Sequence, residues 1–287
     1  MWVIFALIAA FSSATQDVFG KKLLGYGTSP YILGGAQYFL GGLFLLCIAF
    51  FQGFPQISFI FLAAVGISVT LNLAAQLLQF RALKAGDISL VSPMLAFSPI
   101  FLILTSYVLL GEKPSPLGFL GIVVVVFGSY ILNGGLSKSF MSILRAIREN
   151  PAGISMLIVT FIFSISSNFD KIATTHTSAL FASAVIDTVL GIAFFILAFM
   201  TGNIELPYKS SRLSIPLILS VGIITSLAVW TSNAALSLQI VPYVISIKRL
   251  SVVFAVFYGM LIFKESNIRE RLLGALVMLA GIVLIAV

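Results

Sequence analysis

Two adjacent cations, Lys248 and Arg249, interrupt the apolar run Val244-Ile245-Ser246-Ile247-Lys248-Arg249-Leu250-Ser251-Val252-Val253. A guanidinium offers a planar fork for bidentate bonds and an ammonium offers a point charge, a combination that suits a carboxylate or phosphate. Helical neighbours point about 100° apart, so both can border one cavity without forming a flat face. Three carboxylates lie in comparably apolar surroundings: Asp17, Asp170 and Asp187. Asp187 is placed to neutralise one cation in a buried pair, which leaves the other to seek an anion. Asp17 has Lys21 one turn on, and Asp170 has Lys171 beside it. All three aspartates are candidates for coupling or gating a movement, and Asp17 and Asp170 read either as proton carriers or as charges at helix ends near headgroups.

Uncharged polar residues recur at helical spacing. Ser68, Asn72, Gln76 and Gln79 fall at intervals of four, four and three, a continuous stripe on one face. Ser226, Trp230, Asn233 and Ser237 repeat the arrangement with an aromatic in it. In lipid such stripes face other helices or water, and four polar residues on each of two helices favour a cavity lining. Asn72, Gln76, Gln79, Trp230 and Asn233 therefore join Lys248 and Arg249 as expected substrate-binding residues. The only histidine, His176, stands in a loop, and the sequence holds no HExxH, GxSxG or metal-spaced cluster. No enzyme, no metal and no cofactor is expected. The single cysteine, Cys47, excludes an internal disulfide and reads as core packing.

The elements that position these groups follow from composition. Of 287 residues 60% are hydrophobic and 9% charged, against roughly 25% charged in a soluble domain. Such a surface requires lipid, so the bilayer itself is a partner. Turn residues and charges divide the chain into ten apolar segments: 2–22, 30–51, 57–80, 88–110, 116–133, 152–171, 178–200, 214–237, 243–263 and 270–287. Each approaches the ~20 residues a membrane helix needs. The fold class is thus all-α integral membrane. Met1–Ala10 lacks the basic region of a signal peptide and is expected to remain as part of the first helix. The net charge of +7 comes without a basic cluster on a soluble face, so no nucleic-acid partner is expected. Between the halves, residues 134–151 place Phe140, Ile143, Leu144 and Ile147 on one helical face alongside Lys138, Arg145 and Arg148, which predicts an amphipathic linker at the interface.

The halves repeat. Asp17 and Asp170 stand 153 positions apart, as do Ser13 and Ser166, Glu112 and Glu265, Gly121 and Gly274, and Gly128 and Gly281. Thr28-Ser29 matches Thr177-Ser178 at 149. Residues 1–133 and 152–287 are accordingly two five-helix repeats. An odd helix count forces the second to insert upside down, so ten helices form two inverted repeats, the plan of many secondary transporters. Lys248 and Arg249 align with Leu95 and Ala96, so the cationic pair is present in one repeat alone. Glycines seven apart read as close-packing faces. Pro93, Pro99 and Pro242 are expected to loosen backbone pairing, as hinges or as cavity-lining breaks.

The duplicated plan, the Gly111-Glu112-Lys113 and Lys264-Glu265 junctions, and the glycine-rich fifth and tenth helices resemble the EamA branch of the drug/metabolite transporter superfamily. The resemblance covers the whole chain. Lys248-Arg249 with Leu250-Ser251-Val252-Val253 also resembles the phosphate-binding helix of plastid sugar-phosphate translocators of that superfamily, which implies that the pair grips an anion. In one departure, Gln37 stands where many EamA members carry an arginine. The expected function is a secondary transporter of a small organic anion, working by alternating access, in the plasma (inner) membrane. The alternatives are an amino-acid or drug exporter, or the accessory subunit of a lipid flippase. Connections after odd-numbered helices hold twelve Lys/Arg and those after even-numbered helices two. The positive-inside rule then puts both termini outside, whereas the resemblance implies cytoplasmic termini.

Overall fold

The structure, a computed structural model, describes residues 1–85, 92–132, 151–205, 211–263 and 268–287. The predicted linker, apart from Pro151, and the Lys264-Glu265 junction lie outside the described residues. Among the described residues eleven α-helices follow in order: α1 Trp2–Gly25, α2 Pro30–Gln52, α3 Phe59–Ala85, α4 Ser98–Leu110, α5 Pro116–Leu132, α6 Pro151–Thr175, α7 Ala179–Met200, α8 Ser211–Leu236, α9 Val241–Lys248, α10 Ser251–Phe263 and α11 Ile268–Ala286. There is no strand among the described residues. Seven segments are long and apolar enough to cross a membrane, one of them Val241–Tyr258, running through α9 into α10. Three shorter apolar helices, Ser98–Leu110, Pro116–Leu132 and Leu272–Ala286, bring the total among the described residues to ten.

Local chemistry sets the ends. The Ser29 hydroxyl accepts from the Tyr31 amide at 3.2 Å, with Pro30 opening α2. Ser178, the repeat counterpart of Ser29, accepts from the Phe181 amide at 3.2 Å to start α7. Serine is a favoured N-cap because its oxygen satisfies an amide the helix leaves over. Gly111 ends α4 at φ +70°, a left-handed conformation that glycine adopts without strain.

The predicted fourth and ninth helices are each broken. A 3₁₀ turn, Ser92–Phe97, precedes α4. In the ninth, the ladder switches to i→i−3 bonds, Leu250 N to Ile247 O at 2.9 Å and Val252 N to Arg249 O at 3.1 Å. The two breaks coincide under the 153-residue shift, since Arg249–Val252 aligns with Ala96–Pro99. Pro99 and Pro242 do not interrupt helices. Each sits in the first turn of a helix, where proline's missing N–H costs nothing.

The chain forms two compact units, Met1–Leu73 with Phe169–Leu238, and Ala74–Asn168 with Gln239–Val287. Each draws on both repeats, and the boundaries fall inside α3, inside α6 and between α8 and α9. In the first unit α2 packs on α7 and α8, and α1 on α8. Glycine permits the approach: a Cβ on Gly42 would lie 2.5 Å from Thr188 N, and one on Gly191 would lie 2.3 Å from Phe39 N. Phe39 and Thr188, like Gly42 and Gly191, are 149 positions apart, so the contact is reciprocal between repeat counterparts. Its residue order runs oppositely along the two helices, so α2 and α7 are antiparallel. Tyr38 stacks on Phe194 at 6.1 Å, and Phe181 meets Phe54 and Phe61, which seats the start of α3.

The second unit repeats the device. A Cβ on Gly121 would lie 2.7 Å from Gly281 O, and one on Gly128 would lie 2.9 Å from Gly274 O. These glycines are counterparts at a shift of 153, so α5 and α11 meet as α2 and α7 do, reciprocally and antiparallel. Met94 of the 3₁₀ turn is fully buried with Ala75 and Ala82 of α3 and Ala152, Met156 and Val159 of α6. Cys47 is exposed on α2 rather than packed in the core. It shares that exposure with large apolar residues such as Phe51 and Phe199, as a lipid-facing surface requires.

Candidate functional site

The second unit holds both broken helices and both membrane-depth cations. Lys248 closes α9, and Arg249 is its C-cap, with i→i−3 bonding on its far side. Both side chains are half-buried. Arg249 donates from Nε to the Ser98 hydroxyl at 2.8 Å. Ser98 is itself 1% exposed and is the first residue of α4. One repeat's break therefore supplies the guanidinium, and the other's supplies the hydroxyl that orients it. A guanidinium held through Nε carries two further nitrogens at the end of its fork. Cation and hydroxyl together suit an anion.

A polar stripe on α6 backs this region. Thr160 donates to Met156 O at 2.8 Å and lies 3.3 Å from Met94 O of the 3₁₀ turn. Asn168 donates from Nδ2 to Thr105 Oγ1 at 3.1 Å and to Ser164 O at 2.7 Å. Its Oδ1 is buried without a hydrogen-bond partner among the described residues. Thr160, Ser164 and Asn168 recur every fourth residue, a spacing visible in the sequence. Gln76 is buried and Gln79 half-buried on the part of α3 within this unit.

The remaining expected residues belong to the first unit. Asp170 accepts from the Ser68 hydroxyl, and Ser68 in turn accepts from Asn72 Nδ2 at 3.1 Å. Asn233 donates to the Ser183 hydroxyl at 2.8 Å, one turn from Asp187, which is 1% exposed. Trp230 is half-buried, three residues before Asn233 on α8. The α8 stripe is partly self-satisfied: Ser226 and Ser237 donate to the carbonyls of Ile223 and Ala234, at 2.7 and 2.9 Å. Asp17, the counterpart of Asp170, is exposed near the end of α1. The two aspartates match in sequence and differ in surroundings. Among the described residues no group of His, Cys, Asp and Glu is arranged to hold a metal.

The expected residues thus divide six to four. Asp17, Asn72, Asp170, Asp187, Trp230 and Asn233 fall in one unit, and Gln76, Gln79, Lys248 and Arg249 in the other.

Comparison with known proteins agrees with the duplicated plan. The model of the EamA-like transporter family matches residues 1–134 and 150–287. A WAT1-related protein of Arabidopsis thaliana is 25% identical over 200 residues, covering 66% of this chain and 57% of that protein. The match therefore spans less than two thirds of that relative's length. A solved crystal structure superimposes with a TM-score of 0.78 at 13% identity, over 99% of this chain and 96% of that one, a likeness of fold. With both repeats matched over nearly their full length, the chain belongs to the EamA-like transporter family, within the drug/metabolite transporter superfamily.

Proposed function

We propose that this integral membrane protein is a secondary transporter carrying a small organic anion, with a carboxylate or phosphate, by alternating access. The observation that carries the proposal is the pairing of two helix breaks at equivalent places in the repeats, with Arg249 at one bonded to Ser98 at the other. Interrupted membrane helices in corresponding positions are a recurrent setting for substrate sites, because half-helix ends supply uncompensated polar groups. Ser98 fixes the Arg249 fork, and Lys248 contributes a second charge. The reciprocal antiparallel seams of α2 with α7 and α5 with α11 support inverted insertion of the repeats. Exchanging the conformations of inverted repeats exchanges which side a site faces. The loop charges support external termini in a plasma (inner) membrane.

A second reading, export of amino acids or other amines, draws on the first unit, where buried Asp187 and Asn233 suit an ammonium better than an anion. Purified protein in vesicles decides between them. Under the anion reading, Arg249→Ala and Lys248→Ala each reduce uptake of anions at least tenfold, since a charged hydrogen bond contributes about 1.5–3 kcal/mol. Stabilisation against heat by zwitterions or cations alone would favour export instead.

A further inference from the structure

Glu112 takes no part in the proposed anion site, yet it holds the half-helix that carries it. Val241 is the first residue of α9, and its amide donates to Glu112 Oε2 at 2.8 Å. The same oxygen accepts from the Ser106 hydroxyl on α4. First-turn amides lack partners inside a helix and are usually satisfied by a polar N-cap side chain. In α9 the N-cap is Ile240, whose side chain accepts nothing. The other donors of that turn have partners already. Ile240 N donates to Gln239 Oε1 at 2.9 Å, Tyr243 N and Val244 N reach Ile240 O at 3.2 and 3.3 Å, and Pro242 has no N–H. The Val241 amide remains, and the Glu112 carboxylate supplies its acceptor, with a negative charge that complements the helix dipole.

A second grip lies alongside. The Tyr243 hydroxyl accepts from Ser115 N at 2.8 Å and lies 3.1 Å from Ser115 Oγ. The ring approaches α5 so closely that a Cβ on Gly118 would fall 1.9 Å from the hydroxyl. Gly111, at φ +70°, turns the chain at the end of α4, and Glu112 follows it directly. The connection from α4 to α5 therefore clamps the first turn of α9. That helix has eight residues, about 12 Å at 1.5 Å each, with Lys248 and Arg249 at its other end. So short a rod transmits any slide or rotation of its start to its tip.

We infer that Glu112 is a positioning residue for substrate: by capping α9 it sets the height and rotation at which Lys248 and Arg249 meet the anion. This rests on the reading that those cations hold the substrate. A cap serving stability alone predicts something different, a lower melting temperature without ligand and an unchanged affinity.

The test uses the full chain with Glu112→Ala, Glu112→Gln and Arg249→Ala. Inorganic phosphate and succinate are the probes, titrated by thermal stabilisation, and amide exchange is followed over residues 241–244. We expect Glu112→Ala to raise the half-saturating anion concentration about tenfold, as loss of a charged cap implies, and to speed exchange of the Val241 amide at least as much. Glu112→Gln, which keeps an acceptor oxygen, stays within about threefold of the parent. Unchanged exchange or unchanged anion affinity in Glu112→Ala, while Arg249→Ala loses binding, overturns the positioning role alone. If neither anion binds the parent, or Arg249→Ala binds as the parent does, the anion reading falls and takes this inference with it.

Discussion

Replacing Gly121 by alanine probes the α5–α11 seam at a point where two of the three nearest neighbours are backbone atoms and the third is the Ile285 side chain, 2.7 Å away. The new Cβ would lie 2.7 Å from Gly281 O and 3.0 Å from Ile285 N, both backbone atoms, where ordinary contact begins at 3.4 Å. Relief requires the helices to part by about 0.7 Å, the difference between 3.4 and 2.7 Å. A gap of about 0.5–1 Å forfeits a quarter to a half of each dispersion contact across the seam. Overpacking of this kind costs about 1–3 kcal/mol. Against it, removing a helical glycine returns about 0.5–1 kcal/mol. The midpoints of these ranges leave a net loss of about 1.3 kcal/mol, which lowers Tm by roughly 3–5 °C at about 2–4 °C per kcal/mol. Gly274→Ala, the repeat counterpart, meets Leu132 N at 2.4 Å and is expected to behave alike. Gly66→Ala is the control, because nothing lies within 4 Å of its Cβ. The measurement is thermal unfolding in one detergent at one scan rate, since membrane proteins often unfold irreversibly. Should Gly121→Ala melt at or above the parent, as Gly66→Ala is expected to, the seam is not the close contact described.

Other outcomes follow from the same structure. Thr105→Val removes one acceptor from Asn168 Nδ2 and should destabilise by about 1 kcal/mol. The double change with Asn168→Leu should recover part of that, because removing both buried partners is milder than orphaning one; strict additivity of the two losses would argue against the pair. Asn233→Ala leaves the Ser183 hydroxyl without its donor and should cost about 1–3 kcal/mol, read as a Tm shift against Ser237→Ala, which removes a hydroxyl of an exposed residue together with its local bond to the Ala234 carbonyl. With Cys47→Ser as background, a cysteine at exposed Lys22 should resist impermeant thiol reagents applied to intact cells. Ready labelling would reverse the orientation the charges predict.

What the sequence disclosed was what depends on periodicity and composition. Apolar runs of membrane length, bounded by glycine, proline and charge, located the spans, and Ser29 and Ser178 marked two starts because N-capping is a local interaction. The glycines seven apart were readable as packing faces, while the identity of their partners was not, since α5 meeting α11 is a matter of tertiary pairing. Pro93 and Pro99 marked the fourth helix as one with loosened pairing, whereas the switch in the ninth, several residues beyond Pro242, carried no such sign. Hydropathy is blind to a switch from i→i−4 to i→i−3 bonding, and Lys248-Arg249 drew attention by charge rather than backbone. Asp17 and Asp170 show where the repeat misleads. Shared ancestry equates them, but their burial depends on what each helix end packs against, and only Asp170 meets Ser68. Glu112 was visible as a repeated junction residue, whereas its partner at Val241 lies 129 positions away.

The seams between counterpart helices also constrain how the protein is made. α2 finds its antiparallel partner only in α7, and α5 only finds α11 after about 150 further residues, roughly 8–30 s of translation at 5–20 residues per second. During that interval the glycine faces of the first repeat stand in lipid without the helices they fit. Neither repeat expressed alone would complete a compact unit, because each unit takes helices from both. Co-synthesised halves should therefore find one another in the membrane, whereas the first half by itself would be a substrate for quality-control proteases.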